Sequence, residues 1–263
     1  MIRTGLVSVT FRRLDPHDII RLAAEAKLAA IEWGSDVHVP PGKTAVAKEV
    51  NALTHDAGLD VAAYGSYYRV AAQMKNTAPF EQILETAVAL GAPLIRVWAS
   101  DRSSEKAYDS HWNTLITETQ AIADQAVQAN VGIAFEYHGN TMNDTPDATR
   151  RLIKGVDRPN VWTLWQPDGR SGYQECWQSL RKVRPWLANI HVFHWHMGQR
   201  LLLEEGENEW QGFLDLVADS GKDHCALLEF VQKDQTHVFM KDAAILNGLA
   251  KVVQNKAALS RRK

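Results

Sequence analysis

The sequence predicts a single-domain α/β protein, a parallel (β/α)8 barrel over residues 1–255. Three observations carry that reading. Strand-like and helix-like segments alternate from one end of the chain to the other, eight such units can be counted, and no Ser/Pro-rich linker or low-complexity stretch separates them. Alternation implies a parallel sheet, and eight units imply a sheet that closes on itself. The length of 263 residues suits such a barrel, which needs roughly 250. The rival, an open doubly wound sheet with extra strands, is weakened because no Gly-rich phosphate fingerprint follows the first strand.

The elements follow in order. Residues 2–10 are apolar and β-branched. Asp15-Pro16 then starts a helix whose apolar period runs to Lys27. Residues 30–34 form the second strand, and a helix over about 43–57 stops at Gly58. The third strand covers 59–66, and its helix, 79–90, ends at Gly91. The fourth strand, 94–99, precedes a long helix over about 105–130. Residues 132–137 are the fifth strand, and Asp144-Thr-Pro-Asp147 opens a helix to about 155 with Pro in its first turn. The sixth strand, 161–166, is followed by a helix over 173–187. Residues 190–193 are the seventh, with a helix over about 209–220. Residues 226–231 are the eighth, closed by a helix over 237–253. Residues 256–263, ending Ser260-Arg-Arg-Lys263, read as a basic tail.

Composition excludes several classes. A formal charge of −2 gives no electrostatic case for nucleic acid or a membrane surface. Two cysteines, Cys176 and Cys225, are too few for a disulfide framework and fit a reducing cytoplasm. The N-terminus lacks the apolar core of a signal peptide, and no apolar run approaches the ~18 residues of a membrane helix. The expected location is cytoplasmic.

Barrels of this kind carry their chemistry at the C-terminal strand ends. Ile133-Ala-Phe-Glu136-Tyr-His138-Gly-Asn140 is such an end. Side chains alternate along a strand, so Glu136 and His138 share one face. An unpaired buried carboxylate is costly, so a metal ion or an ion pair is expected there. Read the same way, the last four units end in Glu136, Gln166, His191 and Glu229, one per unit. Two carboxylates, one amide oxygen and one imidazole suit Mn²⁺, Mg²⁺ or Co²⁺, with Zn²⁺ possible. The four carry a charge of −2, which a divalent ion neutralises. Asp168, two residues after Gln166 but beyond Pro167, is the alternative third ligand.

This pattern resembles the xylose-isomerase-like superfamily of TIM-barrel sugar isomerases and epimerases, over essentially the whole chain. That group includes ketose 3-epimerases, hydroxypyruvate isomerase and inosose dehydratase. Glu136 matches the family's fifth-strand Glu in an E-x-H context, His191 the seventh-strand His, and Glu229 the eighth-strand Glu. Asn143-Asp144-Thr145 is similar to the loop entering the next helix. Gly206-Glu-Asn-Glu-Trp210 is similar to a G-x-G-x-x-W run whose second Gly is replaced. Gln166 departs from the family, most members having Asp there. The resemblance implies a Mn²⁺-dependent isomerase or epimerase of a small sugar or keto-polyol. Glu136 and Glu229 would be its acid/base pair, and an enediolate would be stabilised electrostatically. It also implies a homo-oligomer. A dehydratase on a keto-polyol or 3-keto sugar is the alternative, and a non-catalytic sugar-binding barrel the next. An endonuclease of the endonuclease IV kind is disfavoured, because the first four strand ends offer too few ligands for about three metals.

Candidates for substrate contact are Glu32, His138, Trp98, His194, His196 and Arg200. Each has a structural alternative. Glu32 could instead orient Arg96, a charge inside the apolar run Leu94-Ile-Arg-Val-Trp98 that needs a partner. His194 and His196, in Phe193-His-Trp-His196, lie on the opposite face from His191. Either they or His191 could be the inward residues, and strand-end logic favours His191. Arg200 could be a solvated loop residue. Trp33, Tyr64, Tyr67, Trp98, Trp165 and Trp195 fall near strand ends, where aromatic walls suit sugar faces or simply pack. Trp112, Trp177 and Trp186 fall on helices and read as packing.

Overall fold

The computed structural model describes residues 1–260. Eight parallel strands close into a barrel, β1 (Ile2–Val7), β2 (Ala30–Gly34), β3 (Asp60–Val70), β4 (Leu94–Ala99), β5 (Gly132–Glu136), β6 (Val161–Trp165), β7 (Leu187–Val192) and β8 (His224–Leu228). Each pairs with its neighbours in sequence, and β8 closes the ring against β1. The helices are α1 (Pro16–Glu25), α2 (Thr44–Asp56), α3 (Phe80–Ala89), α4 (Asp109–Gln128), α5 (Pro146–Val156), α6 (Tyr173–Val183), α7 (Glu207–Ala218) and α8 (Thr236–Ser260). No helix among the described residues is long and apolar enough to cross a membrane.

The helix starts follow capping chemistry. Asp15 accepts from the Asp18 N–H at 3.0 Å and Thr145 from the Ala148 N–H at 3.2 Å, each with Pro at the first helical position. Helices cover the outside of the sheet, and their buried stripes meet the outward strand residues. There Trp165 packs with Phe213 and Trp210 at ring distances of 5.2 and 6.5 Å. Trp33, Tyr64 and Trp165 are fully buried, so these three are packing residues and not sugar walls. Tyr64 donates to the Val39 carbonyl at 2.8 Å and Trp165 Nε1 to Ser179 at 2.9 Å, as buried polar aromatics require. Of the helical tryptophans, Trp112 is buried.

The element edges differ from expectation in ways that bear on the site. β1 stops at Val7 and turns into a short 3-10 segment, Ser8–Phe11. β3 runs on to Val70, because the register slips between Gly65 and Tyr68 and pairing with β4 then resumes. That extension carries Tyr67, Tyr68 and Arg69 up to the barrel mouth. α6 stops at Val183, where the Arg184-Pro-Trp186 turn follows, and β7 begins earlier, at Leu187. β8 begins two residues early and ends at Leu228. Of the expected tail, residues 256–260 continue α8, where Lys256 pairs with Asp215 of α7 at 2.6 Å. Residues 261–263 lie outside the description.

The strand ends therefore place the candidates at one level. Glu136 is the last residue of β5, Gln166 follows β6, His191 is the penultimate residue of β7, and Glu229 follows β8.

Candidate active site

Glu136, His191 and Glu229 converge inside the mouth. Each offers a ligand atom, these atoms lie within 4.8 Å of one another, and all three residues are buried. Gln166 joins them, its amide nitrogen 3.3 Å from Glu136 Oε1. Asp168 does not. It is exposed and spends its carboxylate on the following turn, accepting from the Arg170 N–H and the Ser171 hydroxyl at 3.0 and 3.3 Å.

Beneath this cluster lies a buried charge network. The Arg96 guanidinium, 1% exposed, reaches two carboxylates at once. Its Nε lies 2.7 Å from Glu32 Oε1, and its Nη1 donates to Glu136 Oε2. Glu32, one of the candidates for substrate contact, lies beneath the cluster as the partner of Arg96, the alternative its sequence context offered. It is fully buried, with one oxygen on Arg96 and the other 3.1 Å from His191 Nε2. Gly65 makes room for this pair, since a Cβ there would stand 2.6 Å from Arg96 Nη2 and 3.0 Å from Glu32 Oε1.

Each titration shift follows from this arrangement. Burial would raise the Glu136 carboxyl, but Arg96, His191 and His138 outweigh it and bring it down to about 2. Burial would likewise raise Glu32, yet His191 and Arg96 lower it. His191 would be lowered by burial, but Glu229 and Glu32 on its two sides push it up to about 10. Arg96 stays charged despite burial because Glu136 and Glu32 hold it so.

These residues fit a divalent cation. His191 Nε2 donates to Glu32 Oε2 at 3.1 Å, the carboxylate–imidazole support usual behind a metal-ligating His. Its Nδ1 is buried and lacks an aligned hydrogen bond, although Glu229 Oε2 is 3.1 Å away. That nitrogen and the Glu136 and Glu229 carboxylates converge within 4.8 Å, a donor set that a cation would complete. Charge agrees. A cation would displace the proton that Glu229 and Glu32 hold on His191, and Glu32, Glu136 and Glu229 against Arg96 then leave −2, which one divalent ion cancels.

Two further candidates sit at the rim. Trp98 Nε1 donates to Glu136 Oε2 at 2.6 Å, and the His138 ring stacks on Trp98 at 4.9 Å and 20°. His138 Nδ1 is held by the Gly139 carbonyl at 2.7 Å, which leaves Nε2 as the free ring nitrogen. Asn143 positions this loop from below. Its amide donates to the Phe135 carbonyl and to Thr163, and it accepts from Thr149, at 3.3, 3.1 and 2.7 Å, all buried.

The remaining candidates are elsewhere. His194 is not in the cluster. Its ring lies against Gly206, where a Cβ would stand 2.4 Å from Nδ1, so the Gly206 position accommodates this histidine. His196 is exposed on a small hairpin made by Trp195–His196 and Gln199–Arg200. Arg200 is tied to Asp234 at 2.5 Å and covers the Phe230 ring at 4.9 Å, so it anchors that hairpin. All three lie in the loops after β7, outside the cluster. The burial of His191 settles which histidine of the seventh unit points inward. Arg69 was missed. Nothing in the sequence near Tyr67-Tyr68-Arg69 marks it, because only the extended β3 brings it to the mouth.

The family model described as the xylose isomerase-like TIM barrel matches residues 20–249. The chain belongs to that family. A 3-dehydroshikimate dehydratase of Bacillus anthracis is 24% identical over 209 residues, 72% of this chain and 71% of the relative. Two solved structures share the fold. A probable 3-DHS dehydratase, also from Bacillus anthracis, has a TM-score of 0.75 at 17% identity, over 94% of this chain and 99% of that one. An L-ribulose 3-epimerase has a TM-score of 0.71 at 14% identity, over 99% and 98%. The relatives just described carry the names of a dehydratase and an epimerase.

Proposed function

We propose that this protein is a divalent-metal-dependent enzyme that removes a proton beside the carbonyl of a small polyol-like keto substrate. The observation that carries the reading is the buried Glu136–His191–Glu229 cluster, whose ligand atoms lie within 4.8 Å of one another. Glu136, His191, Glu229 and Gln166 would hold the ion. When bound, it supplies Lewis-acid stabilisation of negative charge on the substrate oxygens.

The protein's own residues divide the work unequally. Both Glu136 oxygens are engaged, Oε2 by Arg96 and Trp98 and Oε1 by Gln166. A carboxylate held by three donors is a poor proton acceptor. Glu229 pairs with His191 at 3.1 Å and has no second side-chain donor among the described residues, so it is less engaged than Glu136 and is the group assigned to take the proton. His138, beside Glu136 and with one ring nitrogen free, is placed to return a proton or to protonate a departing hydroxyl.

One base suits isomerisation or dehydration. Epimerisation needs a proton removed from one face and delivered to the other, which calls for two opposed acid/base groups. The expected symmetric Glu136/Glu229 pair therefore becomes one base and one charge-fixing ligand, and this favours the isomerase or dehydratase outcome. The dehydratase named among the relatives acts on 3-dehydroshikimate, and that keto acid belongs in the substrate panel.

The test is a panel of ketoses, keto-inositols, hydroxypyruvate and 3-dehydroshikimate with Mn²⁺ or EDTA, with product followed by NMR. Turnover with Mn²⁺ only, abolished in Glu229→Gln, is the expected result. Turnover unchanged in EDTA would overturn the metal reading.

A further inference from the structure

Three arginines stand around the mouth, and they are not equivalent. Arg12 is neutralised by Asp36 at 3.0 Å and also donates to Tyr67 and to the Val9 carbonyl, at 2.9 and 3.1 Å. Arg200 is neutralised by Asp234. Arg69 has no carboxylate partner among the described residues. One of its N–H groups donates to the Ser100 carbonyl at 3.2 Å. A guanidinium carries five donors, so the others are without a protein acceptor. The neighbouring Asp101 is committed elsewhere, accepting from the backbone of Gln73 and Met74 at 3.0 and 3.2 Å.

Arg69 is nonetheless held in place. Its backbone is clamped by Asn76, which accepts from its N–H at 2.8 Å and donates to its carbonyl at 2.9 Å. Its guanidinium lies over the Trp98 ring at 3.9 Å, and the same indole donates to Glu136. One indole therefore separates this cation from the candidate ligand cluster. Burial pulls its pKa down by more than the nearby charges of Asp101 and Glu136 raise it.

We infer that Arg69 reads a carboxylate on the substrate, so that the enzyme acts on a keto acid and not on a neutral sugar. This rests on the function proposed above. The cationic fork is planar, singly charged and stacked on an aromatic ring, which matches a carboxylate in the plane of the fork. A phosphate dianion would call for a second cation or a cradle of backbone N–H groups, and Arg69 has neither beside it.

The experiment is calorimetric titration of the full chain, Mn²⁺-loaded and EDTA-treated, with matched ligands. These are shikimate and its neutral methyl ester, glycerate and glycerol, and glycerol 3-phosphate. Wild type should bind the acids about 30-fold more tightly than their neutral partners, the factor a charge-assisted pair gives. Arg69→Met should lose that factor while its binding of the neutral ligands is unchanged, and Arg69→Lys should recover part of it. Far-UV circular dichroism and metal stoichiometry confirm that each variant is folded. Equal binding of acid and neutral partner by wild type, or no binding of any carboxylate, overturns the proposal. So does equal weakening of both classes in Arg69→Met. Tighter binding of glycerol 3-phosphate than of either acid overturns it in favour of a phosphate. Absence of Mn²⁺ binding would instead count against the metal-dependent function, and the acid–neutral difference in the EDTA-treated chain would still report on Arg69.

Discussion

Arg96→Met removes the cation from beneath the candidate site and nearly conserves its volume. The Arg96 side chain is 2% exposed, and its partners Glu32 and Glu136 are 0% and 5% exposed. Removing one partner of a buried pair costs about 3–5 kcal/mol, because the charge left behind keeps its desolvation penalty. Arg96 serves two carboxylates, so the loss should fall near the upper end, about 5 kcal/mol. That is a large fraction of the roughly 5–15 kcal/mol that stabilises a typical domain. The assay is urea unfolding followed by tryptophan fluorescence, in EDTA and then in Mn²⁺ at 100 times its Kd. Mass action gives wild type about 2.7 kcal/mol from the ion. At the same Mn²⁺ concentration the variant should gain more, since its uncompensated carboxylates attract the cation more strongly. A cost below about 1 kcal/mol in EDTA would refute the reasoning, because Glu32 and Glu136 would then not be the desolvated, Arg-dependent charges described.

Two predictions act on neighbouring features. Gly65→Ala places a methyl 2.6 Å from Arg96 Nη2, and Arg96, locked between two carboxylates, cannot retreat. The variant should lose about 2–3 kcal/mol by the same unfolding assay, and Mn²⁺ affinity by calorimetry should change with it. Asp242, buried and bonded to the Leu203 N–H at 3.1 Å, has its carboxyl pushed up to about 6, mainly by burial. A folded-state pKa above the unfolded one makes its contribution most favourable below about pH 4, lost as pH rises through about 6. Asp242→Asn should therefore add up to about 3 kcal/mol of stability at pH 7.5, read as a higher melting temperature, and change it little at pH 4.5.

Much of the fold was legible because its signals are local. Proline and aspartate mark helix starts, glycines at 58 and 91 mark stops, and apolar runs mark strands between them. The strand-end rule then found Glu136, Gln166, His191 and Glu229 without any tertiary information. What escaped was set by geometry between strands. The slip after Gly65 lengthens β3 and delivers Arg69 to the rim, and no periodicity encodes a register shift. Glu32 and Arg96 were recognisable as partners, but Arg96 also reaching Glu136 depends on barrel closure. The histidines after β7 drew attention by density alone, and a hairpin turns His196 to solvent while Gly206 receives His194. Nor could spacing reveal that Glu136 meets three side-chain donors while Glu229 pairs with His191 alone among the described residues.

That asymmetry is the central claim, and deuterium exchange tests it most directly. The Mn²⁺-loaded protein would be incubated in D₂O with its turned-over substrate, and carbon-bound hydrogen and product followed by NMR. Wild type, Glu136→Gln and Glu229→Gln would be compared at equal metal occupancy, with EDTA as control. The account predicts metal-dependent exchange or proton loss at one carbon, abolished in Glu229→Gln and retained, at reduced rate, in Glu136→Gln. Abolition in Glu136→Gln with proton removal intact in Glu229→Gln would contradict it.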